Sequence, residues 1–142
     1  NEMKETISKM QEKKKIDTTL QIITCIDEDG EKARTRAKKT LSFYIAVGKI
    51  YREFLESTGY SEEVQHIYDE YKKTGLNKLQ EFVPEEMLDD LCIAGTPDTA
   101  VKKLNDFRNI GIDLPIIQFN PIGDVKESFE LLTKTFSGEL NE

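Results

Sequence analysis

The sequence predicts an α/β fold built on a parallel sheet. Three short segments, residues 18–26, 91–94 and 114–120, are rich in β-branched and other apolar side chains, and longer stretches with helical spacing separate them. The first segment is almost continuously apolar rather than alternating, which is typical of strands that carry helices on both faces. Strands that alternate with helices in this way indicate right-handed βαβ units.

The composition is that of one soluble domain. The chain has 142 residues, of which 37% are hydrophobic and 33% are charged, which is enough for a core of ordinary size. Its formal charge of −7, from 27 acidic against 20 basic residues, disfavours nucleic acid and acidic membranes as partners. The densest basic run, Lys13 to Lys15, is short and is interpreted as a solvated face.

Signals for targeting and metal binding are missing from the sequence. No apolar stretch approaches the roughly 20 residues of a membrane span, and the first apolar run lies too far from the amino terminus for a signal peptide. Cys25 and Cys92 each lie within an apolar run, and the single histidine, His66, is not at ligand spacing from either. We therefore expect a cytoplasmic protein with no disulfide framework and no metal site.

Helical patterns fill the stretches between the strands. One long amphipathic helix is predicted from Glu31 to a stop near Gly59. Shorter helices are expected over residues 62–75, 85–90, 97–110 and 124–136, with a connector at 76–82. Residues 1–17 are interpreted as a helix end and linker, residues 18–136 as the strand–helix units of a single domain, and residues 137–142 as a frayed tail.

The turn Gly95-Thr96-Pro97 is the most informative candidate site. Gly95 ends a strand, Thr96 is suited to cap a helix, and Pro97 presets the first helical turn. Ligands gather at the carboxyl edge of a parallel sheet, where helix N-termini favour anions. The same spacing is also that of a well-formed strand-to-helix turn without a ligand, so both interpretations stay open.

Polar residues near the ends of the other two strands are further candidates. Thr24 and Asp27 end the first strand, where a hydroxyl could donate to a ligand oxygen and a carboxylate could accept; ordinary strand filling and turn formation are the alternatives. Gln118 and Asn120 are two apart on an apolar strand and therefore share a face. A buried amide needs hydrogen-bond partners, so Gln118 is either a ligand contact at the rim or a satisfied core amide. Asn120 before Pro121 also fits simple turn chemistry.

Motifs that identify a catalytic class directly are not found. The sequence contains no GxxxxGK, GxGxxG or GxSxG pattern, and no catalytic residue is assigned. Three parallel strands would also leave two long edges unpaired, which is a liability for a soluble protein. The residues alone therefore suggest part of a larger α/β body.

Two ordered passages of the sequence resemble the luciferase-like oxidoreductase family. The first follows a strand that ends in acidic residues, and it comprises Gly30-Glu31-Lys32-Ala33-Arg34, Phe43-Tyr44-Ile45-Ala46, Tyr51-Arg52 and Gly59-Tyr60. The second runs from Cys92 through Gly95-Thr96-Pro97-Asp98 to Leu104 and includes Phe107, Gly111 and Asp113. The passages have the family's order and separation, and the similarity extends over residues 18–136, nearly the whole chain.

The resemblance implies a (β/α)8 barrel of which this chain supplies the C-terminal part, roughly strands six to eight with their helices. It implies an oxidoreductase that performs hydride transfer or monooxygenation at the carboxyl rim, with FMN or the deazaflavin coenzyme F420 as cofactor. The methylene-tetrahydromethanopterin reductases are the nearest subgroup in general likeness. The expected cofactor-binding residues are the rim turn Gly95, Thr96 and Pro97, together with Thr24 and Gln118.

The implied enzyme acts on a small-molecule substrate and forms a homo-oligomer, with neither nucleic acid nor a membrane as partner. Because most of the family's cofactor pocket comes from strands one to five, the isolated chain is expected to be inactive. Two alternatives stay open. One is a non-catalytic partial-barrel module that dimerises through its strand edges. The other is an unrelated α/β domain that binds a phosphorylated ligand.

Overall fold

The structure, a computed structural model, describes residues 2–11 and 17–138 and has the α/β architecture with a parallel sheet that the sequence predicts. In chain order, the elements are α1 (Glu2–Gln11), β1 (Thr19–Ile26), α2 (Gly30–Val47), α3 (Lys49–Ser57), α4 (Ser61–Thr74), a 3-10 helix (Leu79–Phe82), α5 (Glu85–Leu91), β2 (Cys92–Gly95), α6 (Pro97–Asn109), β3 (Leu114–Phe119) and α7 (Val125–Ser137).

β1 is the central strand of the sheet. The strand order is β2-β1-β3 and both pairings are parallel, with Ile23 opposite Cys92 on one side and opposite Gln118 on the other. Neighbouring strands of a (β/α)8 barrel are consecutive in sequence, so three successive barrel strands would place β2 in the middle. The expected assignment of β1, β2 and β3 to strands six, seven and eight is therefore wrong in its order.

The direction of the crossovers explains this order. The helices α2 to α5 connect β1 to β2 on one face of the sheet, whereas α6 leads from β2 past β1 to β3 on the other face. Right-handed crossovers that move in opposite directions across a sheet place their helices on opposite faces. The result is a three-layer arrangement with helices on both faces of the carboxyl half of β1.

Alternate residues of β1 contribute to two separate cores. Ile23 and Cys25 lie on the first face, in the core formed with α2, α4 and α5, whereas Ile22 and Ile26 lie on the second face with α6 and α7. The continuous burial that the apolar run predicts therefore holds from Ile22 to Ile26. The largest fully buried side chains of the first core are Leu41, Ile45, Leu55, Ile67, Met87 and Leu88.

The long helix predicted from Glu31 is interrupted at Gly48. This residue separates α2 from α3 and has φ −95° and ψ 93°. A Cβ atom at Gly48 would lie 2.8 Å from the carbonyl oxygen of Tyr44 and 3.2 Å from Cβ of Tyr51. The break depends on this close approach, and the sequence does not reveal it because helical spacing continues across it.

Within residues 2–11 and 17–138, no element covers the first face of the sheet at its amino half. Thr19 and Gln21 of β1 are exposed there, and the apolar side chains of Leu114 and Ile116 of β3 are 57% and 47% exposed. Thr19 lies opposite Leu114 and Gln21 opposite Ile116, so the four residues form one surface, which we call the open face. Neighbouring exposed apolar side chains often mark a surface that contacts another structure.

Some expected features fall outside the described residues. The basic run Lys13 to Lys15 lies within residues 12–16, and most of the expected tail lies within residues 139–142. Within the described ranges, no helix combines the length and the apolar character that crossing a bilayer requires.

Candidate functional site

The carboxyl ends of the strands form the rim on which most of the candidate residues lie. The turn after β1 is held to the end of β2 by a 3.2 Å hydrogen bond from the Asp27 backbone N–H to the Gly95 carbonyl. The Asp27 carboxylate accepts from the Asp29 N–H at 2.8 Å, and the Asp29 carboxylate caps α2 by accepting from the N–H groups of Glu31 and Lys32. Both carboxylates help to shape the turn, and a ligand contact by Asp27 stays a prediction.

The Gly95-Thr96-Pro97 turn has the geometry of a helix start. Thr96 is the N-cap of α6, and its Oγ1 accepts a hydrogen bond from the Thr99 N–H at 3.4 Å. Gly95 has φ 153°, and a Cβ atom there would lie 2.9 Å from Cγ2 of Thr99, so this passage from strand to helix requires glycine. These contacts account for the residue types without a ligand, and cofactor binding by the turn stays a prediction.

A recess of about 460 Å³ adjoins this turn on the side of α7. Thr96 and Pro97 line it, and its charged lining groups are Glu28, Asp98 and Lys134. Two carboxylates against one ammonium give the recess no excess of positive charge, which is unfavourable for a phosphate group despite the adjacent helix N-terminus.

Thr24 and Gln118 lie on opposite faces of the sheet. Thr24 is fully buried on the second face, and its hydroxyl donates to the Ile22 carbonyl at 3.0 Å. Gln118 is half-buried on the first face, where its Nε2 donates to the Tyr44 hydroxyl at 2.7 Å. The structure does not bring these two candidates to one site, and the binding role of each stays a prediction.

A polar cluster joins α2 to the end of β3. The buried Asn120 accepts from the Thr40 hydroxyl at 2.9 Å through Oδ1 and donates from Nδ2 to the Gln118 carbonyl at 2.8 Å. Arg36 donates from Nη1 to the Thr40 Oγ1 at 2.6 Å and from Nε to the Pro121 carbonyl at 3.2 Å. These bonds fix α2 over the end of β3, so Asn120 has a structural role beyond that of a turn residue.

The sequence does not single out Arg36 and Thr40, because both belong to a helix that is rich in Lys, Arg and Thr. The one available signal is their spacing, since residues four apart lie on the same helix face. Which structure that face meets depends on the strand order, and strand order is a long-range property of the fold.

The two cysteines are buried in the folded protein. Cys25 and Cys92 lie on the first face, on neighbouring strands, and both are free thiols. Burial raises the pKa of the Cys25 thiol to about 12, and burial also raises the pKa of Cys92. Thiols that stay protonated at neutral pH are poor nucleophiles and poor metal ligands. Among residues 2–11 and 17–138, no three His, Cys, Asp or Glu side chains are grouped to hold a metal ion.

Known proteins with similar sequences and structures point to one enzyme family. The luciferase-like monooxygenase family model matches residues 1–114. A 5,10-methylenetetrahydromethanopterin reductase of Archaeoglobus fulgidus is 29% identical over 124 residues, which cover 83% of this chain and 36% of the reductase. Among solved structures, the coenzyme F420-dependent tetrahydromethanopterin reductase from Methanopyrus kandleri matches 96% of this chain and 42% of its own, with a TM-score of 0.75 and 24% identity.

The chain shares the fold of one solved reductase and covers part of the length of its relatives. The structural match at 24% identity shows a shared fold, an α/β architecture with a parallel sheet like that of the reductase. The chain spans 36% of the length of the Archaeoglobus reductase that it matches.

Proposed function

This chain belongs to the luciferase-like monooxygenase family, and we propose that it forms part of an oxidoreductase that uses coenzyme F420. The observation that carries the proposal is the 29% identity over 124 residues to the Archaeoglobus methylenetetrahydromethanopterin reductase. The similar Methanopyrus enzyme is described as coenzyme F420-dependent, whereas neither of these relatives is described as using FMN. A small molecule of the kind reduced by these relatives is the proposed substrate.

We place the chain in the carboxyl-terminal part of a (β/α)8 barrel, with β1 and β3 as neighbouring barrel strands. Among the described strands, β2 pairs only with the last part of β1, from Ile23 to Ile26, and it follows the long connection through α2 to α5. α6 leads into β3 and α7 follows it, and both pack on the second face, so we place that face on the outside of the barrel and α2 to α5 over the carboxyl end of its interior. The open face would then point to the barrel interior. Its exposed Leu114 and Ile116 support this placement, because further strands would cover them.

We take the described residues as one wall of the cofactor site, because they do not enclose a pocket by themselves. The two recesses beside the rim, of about 410 and 460 Å³, are open to solvent, whereas ligand pockets bury most of the ligand surface. Coenzyme F420 supplies the hydride-transfer chemistry when it is bound, and the protein must hold its ring against the substrate. We therefore expect the isolated 142-residue chain to be catalytically inactive.

Ligand binding tests the cofactor assignment. This chain is combined with the portion of the Archaeoglobus reductase that it does not match, and the mixture is titrated separately with coenzyme F420 and with FMN. Free ligand is measured by ultrafiltration, and the reductase portion alone is the control. We expect saturable binding of coenzyme F420 by the mixture and at least about tenfold weaker binding of FMN. Tighter binding of FMN would contradict the assignment, and binding of neither ligand would contradict the proposed function.

The open face also supports a second candidate function, a non-catalytic module that dimerises. Among the described strands, β3 pairs only with β1, so its other edge is open beside Leu114 and Ile116. Two copies that pair through this edge would continue the sheet across the contact and place Leu114 and Ile116 of each copy beside those of its partner. Sedimentation equilibrium of the wild type, Ile116→Asp and the control Ile50→Asp, at an 82% exposed position of α3, tests this candidate. A dimer dissociated only by Ile116→Asp supports it, whereas monomers in all three samples exclude it.

A further inference from the structure

We propose that the recess between α2 and the loop from β3 to α7 is an anion-binding site for a phosphate or carboxylate group of a small-molecule ligand. The recess has a volume of about 410 Å³. Its charged lining residues are Glu31, Lys32, Arg36 and Lys39, which is three cations against one carboxylate in a protein whose formal charge is −7. Such a local excess of positive charge attracts anions against the general field of the protein.

The three cations come from one face of α2. Lys32, Arg36 and Lys39 are spaced by four and then three residues, so they lie close together along the helix surface. Lys32 is 3.8 Å from Asp29 in an exposed pair, which competes only weakly with a ligand. Lys39 is exposed, and its ammonium has no hydrogen bond or ion pair with any residue that the structure describes.

Arg36 is held in place before any ligand arrives. Its side chain is half-buried, with Nε donating to the Pro121 carbonyl and Nη1 donating to the Thr40 Oγ1. Its Nη2 has no hydrogen-bond partner in the part of the chain that the structure describes. A guanidinium that is already ordered loses little conformational entropy when its remaining donors bind an oxyanion.

The opposite wall of the recess is a loop that leaves the space open. A Cβ atom at Gly123 would meet no atom within 4 Å, and the Ile122 N–H is already donated to the Ser128 hydroxyl at 3.2 Å. Pro121 has no N–H to offer. The charges that attract an anion come from the side chains of α2, which makes the site testable by substitution.

The position of the recess connects it with the candidate ligand edge. It lies where α2 begins after β1 and where the chain leaves β3, and in the proposed barrel these two strands are neighbours. A ligand at the carboxyl rim can reach this point. The inference rests on the proposed function only for the identity of the molecule that carries the anionic group.

Nuclear magnetic resonance tests the proposal on the whole chain. The ¹⁵N-labelled protein is titrated with inorganic phosphate and separately with malonate, with sodium chloride at matched ionic strength as the reference. We expect saturable shifts of the amide signals of residues 31–39, 122 and 123 with at least one of the two anions. The anion that binds more tightly distinguishes a phosphate group from a carboxylate group as the natural occupant.

Two variants and a matched control locate the binding. Arg36→Gln and Lys39→Gln should each raise the dissociation constant at least about tenfold, because each removes a charge-assisted contact. Lys102→Gln, at an exposed lysine of α6 outside the recess, should leave it within about twofold. Arg36→Gln also removes the hydrogen bonds of Arg36 to Pro121 and Thr40. If that variant does not fold, Lys39→Gln still tests the proposal.

Two outcomes would overturn the proposal. One is the absence of saturable shifts in these amides with both anions, and the other is equal weakening by Lys39→Gln and Lys102→Gln. The mixture of this chain with the Archaeoglobus reductase portion separates the two proposals. If the mixture binds the anion at the recess but does not bind coenzyme F420, this inference is supported and the proposed function is contradicted.

Discussion

The side-chain amide of Gln118 donates a 2.7 Å hydrogen bond to the hydroxyl of Tyr44, and this bond joins β3 to α2 across the first face of the sheet. The Tyr44 ring also contacts the rings of Phe43 and Tyr51, with centroid distances of 5.9 and 5.8 Å. α2 carries the cations of the proposed anion site, so the position of that site depends on contacts of this kind. The Gln118 amide therefore has a hydrogen-bond partner within the protein, and its role as a ligand contact stays a prediction.

Replacement of Tyr44 by phenylalanine should destabilise the fold modestly. Tyr44→Phe leaves the half-buried Gln118 amide without this acceptor, and we expect the free energy of unfolding to fall by about 1 kcal/mol. Urea unfolding followed by circular dichroism measures the change. Tyr71→Phe is the matched control, because the Tyr71 hydroxyl has no hydrogen-bond partner in the described part of the chain. Equal stability losses in the two variants would show that the Gln118 bond contributes nothing.

Gly95→Ala should destabilise the protein more strongly. The new Cβ atom would lie 2.9 Å from Cγ2 of Thr99, and overpacking of this kind typically costs about 1–3 kcal/mol in addition to backbone strain. Gly59→Ala is the control, because Gly59 also has a positive φ, 103°, but no atom within 4 Å of its Cβ position. Thermal unfolding measures both variants. If Gly95→Ala lowers the melting temperature no more than Gly59→Ala does, the close contact with Thr99 does not require glycine at position 95.

The local features of this fold could be predicted, and the long-range ones could not. β1 was expected over residues 18–26 and is observed over Thr19–Ile26, because its β-branched residues and flanking turns are local signals. The capped helix start at Thr96 follows from three consecutive residues for the same reason. The central position of β1 depends instead on which face each group of connecting helices covers, and spacing along one chain does not determine that.

In the candidate site too, the local features could be predicted from the sequence and the long-range ones could not. The shared face of Gln118 and Asn120 follows from strand alternation within one strand. That Thr24 lies on the other face depends on the register between β1 and β3, in which Thr24 is opposite Phe119. A shift of the register by one residue would place Thr24 on the same face as Gln118. No local residue pattern determines this register.

The ion pairs between α2 and α5 should make stability dependent on pH in the acidic range. Lys38 and Arg34 both bind the Glu85 carboxylate and hold its pKa below the usual range, Lys38 having the larger effect. A carboxylate with a lowered pKa in the folded state stabilises the protein above its unfolded-state pKa of about 4.3. That stabilisation is lost as the pH falls through the lower, folded-state pKa.

Glu85→Gln should therefore lower the free energy of unfolding at neutral pH and flatten its decline below about pH 5. We expect a loss of no more than about 1 kcal/mol, because the Glu85 side chain is 62% exposed. Urea unfolding at a series of pH values measures both effects. Glu56→Gln, at an exposed glutamate of α3, should leave the decline unchanged. If the free energy of unfolding of Glu85→Gln falls with pH as steeply as that of the wild type, Glu85 is not the source of this pH dependence.

The thiols should be protected until the protein unfolds. Because burial raises the pKa of Cys25 to about 12 and also raises that of Cys92, we expect slow reaction with Ellman's reagent at neutral pH in the native state. In denaturing urea, both thiols should react rapidly. Rapid modification of either thiol under native conditions would contradict the buried position of that strand residue.

Steady-state catalysis tests whether this chain forms part of an oxidoreductase that uses coenzyme F420. Oxidation of reduced coenzyme F420 in the presence of methylenetetrahydromethanopterin is followed by absorbance, first with this chain alone. The assay is repeated after addition of the portion of the Archaeoglobus reductase that the chain does not match, and with that portion alone. We expect no turnover by either part alone and turnover by the two together. Turnover by the 142-residue chain alone, at an ordinary enzymatic rate, would contradict this expectation.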